Sequence, residues 1–231
     1  MVDLISIQRN LSKLKERISR AAEGCGRDPA AVHLVTVAKT QGVEAVRASI
    51  QAGSHIVGEN YIQEAREKFE ALGSLPAQWH FIGHLQTNKA KYAVRMFDLI
   101  HTVDSEKLAV ELDKQARKAG KVQNILVQVN IGAEATKSGV APDRTIDLVR
   151  RISGYENIRV QGLMAMPPFF DAPERARPFF RALRRLRDLI REEMTGPVQE
   201  LSMGMSGDFE VAIEEGATLV RIGTAIFGAR S

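Results

Sequence analysis

Eight short apolar runs punctuate this chain, each parted from the next by a stretch with helical periodicity. The runs are VHLVTVA (32–38), HIVGE (55–59), QWHFIG (78–83), FDLIHTV (97–103), QNILVQVN (123–130), IRVQGLMAM (158–166), VQELSMG (198–204) and TLVRIG (218–223). Helical stretches fall near 43–51, 60–72, 87–94, 105–119, 143–153, 174–194 and 208–215, several opening on a capping residue such as Ser105 or Asp208. Strands that alternate with helices run parallel, because each helix carries the chain back to the end of the sheet where the last strand began. Eight such units in 231 residues point to an α/β fold, a (β/α)8 TIM barrel. An open doubly wound sheet is the alternative, but no G-x-G-x-x-G follows the first strand.

The N-terminal segment carries Leu4, Ile7, Leu11, Leu14 and Ile18 at helical spacing, which predicts an extra amphipathic helix over residues 2–23. The chain ends too soon after strand eight for a long eighth helix, so this spare helix is expected to close the ring there. Residues 1–231 are read as a single domain. The N-terminus lacks the charged start, apolar centre and cleavage site of a secretory signal. No apolar run approaches the ~20 residues of a membrane span. With one cysteine, Cys25, there is neither an internal disulfide framework nor a cysteine metal site, and no metal is expected. These features predict a cytoplasmic protein with no membrane partner.

The formal net charge of +4 raises the question of nucleic acid. The densest basic stretch, RARPFFRALRRLRDLIREE (175–193), places Phe179, Leu183, Leu186 and Ile190 at three- and four-residue steps. Its arginines therefore occupy the opposite face, interleaved with Asp188, Glu192 and Glu193. That pattern reads as a solvated helix face, and no nucleic-acid partner is expected.

In a barrel of this kind, chemistry gathers at the C-terminal ends of the strands. Those ends carry Lys39, Glu59-Asn60, Gly83-His84, Asp104, Asn130, Met164-Ala165-Met166, the run Ser202 to Ser206, and Arg221 with Gly223-Thr224. SMGMSGD sets glycines and hydroxyls at a strand-to-helix turn, where free N–H groups favour an anion. RIGTAIFG adds Gly223, which permits close backbone approach, and the Thr224 hydroxyl. A phosphate held after strands seven and eight recurs in this fold. Lys39, at the end of strand one, is either a residue snorkelling at the rim or a working amine. An enclosed pocket favours the neutral, nucleophilic form of a lysine placed there. Pyridoxal phosphate would supply both the aldehyde for that amine and the phosphate for the turns.

The segments VAKTQ, VGENYIQE, WHFIGHLQTNK, QVNIGAEATKSG, GLMAM, LSMGMSGDFEVAI and VRIGTAIFG, in this order, resemble the pyridoxal phosphate homeostasis proteins, single-domain relatives of the N-terminal barrel of alanine racemase. The resemblance runs from the Lys39 strand to Gly228. It implies that Lys39 forms a reversible Schiff base with pyridoxal 5'-phosphate. It implies a phosphate cradle of Ser206, Gly223 and Thr224, and an Arg221 that faces the pyridine nitrogen. Asn60 and Met203 correspond to residues lining the cofactor, and His84 borders the same mouth or serves the structure alone. A guanidinium beside the ring nitrogen disfavours protonation of that nitrogen and weighs against transamination.

Racemisation needs a base on each face of the cofactor. In alanine racemase a tyrosine from a partner's second domain supplies the second base, and this chain has no such domain after Gly228. Of Tyr61, Tyr92 and Tyr155, Tyr61 is expected nearest the pocket, and none stands out as a second base. This favours a protein, expected to be a monomer, that buffers pyridoxal phosphate or delivers it to apo-enzymes in vitamin B6 homeostasis, with no catalytic residues assigned. The alternative is a weak amino-acid racemase or lyase.

Overall fold

A computed structural model of the chain describes residues 4–134, 138–194, 196 and 198–228. Eight strands close in sequence order into a parallel barrel. They are β1 (His33–Val37), β2 (Ile56–Glu59), β3 (Gln78–Phe81), β4 (Leu99–Val103), β5 (Gln123–Val129), β6 (Ile158–Ala165), β7 (Glu200–Ser202) and β8 (Leu219–Ile222). The (β/α)8 architecture expected from the alternation is the one observed.

Each strand alternates its side chains between the two sides of the barrel wall. One set, with Trp79, Phe81, Ile100, Val127, Leu163 and Val220, belongs to the large apolar core shared with the helices. The other set forms a small apolar cluster inside the barrel, made by Val35, Ile56, Leu99, Leu126, Met164 and Leu219. Filling both sides explains why the strands read as nearly continuous apolar runs.

The helices are α1 (Leu4–Gly24), α2 (Val43–Gln51), α3 (Ile62–Leu72), α4 (Ala90–Met96), α5 (Glu106–Lys118), α6 (Pro142–Ile152), α7 (Arg177–Glu193), α8 (Phe209–Glu214) and α9 (Thr224–Phe227). Ser105 caps α5 by accepting from the Leu108 N–H. The four-residue α9 is too short to cover the seam beside β8. Helix α1 fills that place, packing on α2, α8 and α9 as expected. It buries Ile7, Leu11, Leu14, Ile18 and Ala22. Asn10 adds a 3.0 Å hydrogen bond to the carbonyl of Ile226. Burying each of those larger side chains is worth about 1.5–3 kcal/mol.

On α7 the buried positions are Phe180, Leu183, Leu186 and Ile190. Phe180 takes the place expected for Phe179, which instead stacks on Phe170 at 5.7 Å. Both phenylalanines keep a helical step to Leu183, so spacing alone does not separate them. Four arginines of the basic face are engaged in ion pairs. Arg177 meets Glu174 and Glu215, while Arg181 and Arg184 also meet Glu215. Arg187 pairs with Asp188. Among the described residues no helix is long and apolar enough to cross a membrane.

Candidate cofactor site at the C-terminal mouth of the barrel

The register between β8 and β1 sets Ile222 beside Thr36, so the chain beyond β8 emerges next to the end of β1. Gly223 lies so close that a Cβ there would stand 3.1 Å from the carbonyl oxygen of Val37. A side chain at 223 would push the two strand ends apart.

Lys39 follows β1 on a tight turn whose next residue, Thr40, has a φ of 63°. Three hydrogen bonds hold the turn. Gln41 N–H donates to the Ala38 carbonyl (3.1 Å), Lys68 Nζ donates to that same carbonyl (2.7 Å), and Thr40 N–H donates to Glu64 Oε2 (2.9 Å). Lys68 is itself buried and donates to Glu59 Oε1 at 2.7 Å. Burial pushes the Glu59 carboxyl up from its ordinary value, and Lys68 opposes that shift. Lys39, by contrast, is exposed, so the enclosure expected around its amine is not present. Among the described residues its ammonium takes no hydrogen bond or ion pair.

Lys39 opens onto a cavity of about 480 Å³ at the C-terminal ends of the strands. Asn60, Ser206, Arg221, Gly223 and Thr224 line it too, so six of the seven sequence-predicted site residues come together. Met203 does not. It is fully buried in the core, and Met205 lines the cavity instead. The change of side occurs at Gly204, whose φ of 91° turns the chain as it leaves β7.

The turn after Gly204 is braced by Asp208, whose Oδ1 accepts the Met205 N–H at 2.7 Å. Asp208 N-caps α8 without a side-chain hydrogen bond to that helix. Among the described residues, no partner takes the N–H of Ser206, Gly207, Thr224 or Ala225. These donors, with the Ser206 and Thr224 hydroxyls, form a cradle for an anion. Asn60 contributes a buried Oδ1 without a hydrogen-bond partner.

Arg221 is 4% exposed, and its guanidinium donates to Ser202 Oγ at 2.6 Å and to the Ala165 carbonyl at 3.0 Å. Burial lowers its pKa to about 10, while Asp208 pulls in the other direction, so it remains a cation at neutral pH. Asp208 lines the same cavity, and burial raises its carboxyl above the ordinary value.

A second cavity of about 410 Å³ shares the wall of Asn60, Ile82, Met166, Phe169 and Met205. His84 lies there with Ser138, its Nδ1 3.3 Å from the serine Oγ. Tyr61 is 55% exposed and lines neither cavity. Tyr92 sits exposed on α4, and the Tyr155 hydroxyl donates to Glu106. Lys137, a further lysine of the QVNIGAEATKSG stretch, lies outside the described residues. Another cavity, about 860 Å³, is at the opposite end of the barrel beside His33, His55 and Glu200. None of the predicted site residues reaches it.

A model of the alanine racemase N-terminal domain matches residues 2–231. The pyridoxal phosphate homeostasis protein of Aquifex aeolicus is 47% identical over 220 residues, covering 95% of this chain and 96% of that protein. Its counterpart from Pseudomonas aeruginosa is 45% identical over 225 residues, with 97% and 96% covered. This chain belongs to the pyridoxal phosphate homeostasis protein family. Among solved structures, PipY of Synechococcus elongatus with PLP bound superposes with a TM-score of 0.85 at 32% identity, covering 96% of this chain and all of that one. The alanine racemase of Clostridium difficile shares the fold, with a TM-score of 0.77 at 15% identity, and this chain spans 58% of its length.

In this chain a lysine, a polar cradle and an arginine surround one cavity. Sequence reasoning set Met205 and Glu59 at strand ends without a role, read Asp208 only as a helix opener, and missed Lys68. Asp208 was legible as a helix opener, and its hold on Met205 N–H is local enough to be read from the Met-Ser-Gly-Asp turn. Nothing in the sequence marks Lys68, since a lysine four residues after Glu64 normally pairs at the surface.

Proposed function

We propose that this protein binds pyridoxal 5'-phosphate reversibly through Lys39 and buffers it or passes it to apo-enzymes. One observation carries the reading. A single cavity presents an amine, a set of unshared N–H donors and a buried guanidinium, matching in turn the aldehyde, phosphate and ring nitrogen of that cofactor. The family's name and the PLP bound to PipY support it. When bound, the cofactor supplies an aldehyde that bonds covalently to a primary amine.

The residues of the chain divide the work. Ser206, Gly207, Thr224 and Ala225 hold the phosphate with N–H groups and hydroxyls. Arg221 fixes the ring edge and disfavours a proton on the ring nitrogen, because a second cation beside it would be repelled. Asn60 and Met205 would line the bound cofactor. Lys39, exposed and unpaired, remains reachable by an incoming amine.

The cavity suits holding better than turnover. Its titratable lining residues are Lys39, Asp208 and Arg221 among those described. Asp208 is tied to the Met205 N–H, and the tyrosines lie elsewhere. A monomer is the form this reading assumes. With Arg177, Arg181, Arg184 and Arg187 engaged by carboxylates and, among the described residues, no helix suited to cross a membrane, the reading needs neither nucleic acid nor lipid, and the cytoplasm is the compartment we infer. Incubating loaded protein with a defined apo-enzyme and following the cofactor's absorbance tests the reading. Transfer at a rate set by the acceptor supports it. Rapid interconversion of D- and L-amino acids by the protein alone would replace it with a racemase.

A further inference from the structure

Four inward-facing side chains on four different strands form one continuous hydrogen-bonded chain through the barrel. Arg221 Nη1 on β8 meets Ser202 Oγ on β7 at 2.6 Å. Ser202 Oγ meets His101 Nδ1 on β4 at 2.8 Å, and His101 Nε2 meets His80 Nδ1 on β3 at 3.0 Å. All four residues are buried, in a space that such barrels usually fill with Val, Ile and Leu.

The direction of each bond follows from the two ends of Ser202. A guanidinium only donates, so Ser202 accepts from it, and among the described residues His101 Nδ1 is the one other partner of Ser202 Oγ, the acceptor for its hydroxyl proton. His101 then carries its ring proton on Nε2 and donates it to His80 Nδ1. His80, accepting at Nδ1, must carry its own proton on Nε2. Both rings are therefore neutral, since a second ring proton would set donor against donor. Burial agrees, holding His80 down at about 3 and His101 well below its ordinary value.

The chain matters because the Arg221 cation has no carboxylate within ion-pair distance among the described residues. Its side-chain acceptor is Ser202, whose hydroxyl proton is kept off the guanidinium by donating to His101. We infer that His101, fixed by His80, is a positioning residue that sets the orientation of Arg221 through Ser202, and so the affinity of the cavity for a pyridine ring. This inference rests on the proposed ring-facing role of Arg221 only in its last clause.

Two readouts test it separately. The first needs no ligand: nitrogen NMR of the histidine rings and of the arginine guanidinium in the full-length protein. Expected are Nε2–H tautomers at both histidines and slow rotation of the Arg221 guanidinium. His101→Leu should free that rotation, and His101→Asn, whose Oδ1 can replace the Nδ1 acceptor, should preserve it. An Nδ1–H tautomer at His101, or a locked Arg221 in His101→Leu, would overturn the inference.

The second readout is binding of pyridoxine 5'-phosphate, which has no aldehyde and bypasses Lys39, compared with inorganic phosphate. His101→Leu and Ser202→Ala should each weaken pyridoxine phosphate about tenfold or more, as expected for a hydrogen bond to a charged group. The double variant should lose no more than either single one, and inorganic phosphate should bind alike throughout. Additive losses, or equal losses for inorganic phosphate, would show a general packing defect and reject the inference. If Arg221→Leu leaves pyridoxine phosphate binding intact, the ring-facing role of Arg221 fails, and the NMR result alone decides the positioning role of His101.

Discussion

Lys68 and Glu59 form a buried ion pair, 2.7 Å between Nζ and Oε1, directly beneath the turn that presents Lys39. Lys68 ties three elements together, reaching from α3 to the last residue of β2 and to the carbonyl that precedes Lys39. Removing one member of such a pair leaves the other charge buried alone. Lys68→Met should therefore cost about 3–5 kcal/mol of stability, seen as a lower midpoint in chemical denaturation. The replacement of both members, Lys68→Met with Glu59→Leu, should recover much of that loss. A Lys68→Met protein as stable as the parent would show that the pair is not what secures this turn.

Lys39→Ala should behave in the opposite way. The side chain is exposed, so its removal leaves no core cavity and the denaturation midpoint should hold. The visible absorbance of lysine-bound cofactor should disappear, while weak retention through the phosphate cradle remains. Absorbance that persists would move the attachment to another lysine, with Lys89, Lys91 and Lys137 the first to test.

Ser206→Ala and Thr224→Val remove the two hydroxyls of the cradle and leave its N–H donors in place. Each should weaken binding of pyridoxine 5'-phosphate by about 1–3 kcal/mol, the range for a hydrogen bond to a charged group. Titration calorimetry reads this directly. Unchanged affinity in both variants would place the phosphate elsewhere.

The barrel was legible because its signal is repeated. Eight alternations of strand and helix outweigh an error of one or two residues at any boundary, and each observed strand lies inside the run that announced it. Lys39, Arg221 and Gly223-Thr224 were legible because strand ends are where side chains leave the packed wall. What failed was local direction. Met203 and Met205 differ by two residues, and a strand continued to 205 would point both the same way; the φ of 91° at Gly204 separates them. Phe179 and Phe180 both satisfy the α7 spacing, and packing against the core chose the second. His80 and His101 each occupy a strand interior, where burial was readable but a partner across the barrel was not. Such contacts join residues distant in sequence, which periodicity does not register.

The two buried histidines give acid sensitivity a definite sign. Each is neutral in the folded protein with its pKa lowered, His80 to about 3, while an unfolded histidine takes up a proton near its ordinary value of 6.5. Above that value neither state gains a proton, and the histidines add no pH dependence. Below it the unfolded state binds protons that the folded state refuses, so stability falls as pH drops toward 3. Each such histidine contributes a slope of up to about 1.4 kcal/mol per pH unit in that window. Denaturation midpoints measured between pH 7 and pH 4 should show this fall, and His80→Phe should reduce it. An equally steep fall in that variant would assign the acid sensitivity to other groups.

The last prediction decides between holding the cofactor and turning over amino acids. Loss of a well-placed general acid or base typically costs about 10²–10⁴-fold in rate, so a racemase of this fold needs a second titrating group opposite Lys39. Tyr61 is the tyrosine nearest in sequence to the cavity, but it is more than half exposed and lines no part of it. Asp208 does line it, yet its carboxylate holds the Met205 N–H, and its removal should loosen the cradle first. Tyr61→Phe should therefore alter neither cofactor binding nor transfer to an apo-enzyme. Asp208→Asn should weaken pyridoxine 5'-phosphate without exposing any hidden racemase activity. Polarimetry or chiral chromatography on a panel of amino acids should find negligible interconversion in the parent and in both variants. Robust turnover in the parent that vanishes in either variant would identify the second base and make this protein a compact racemase.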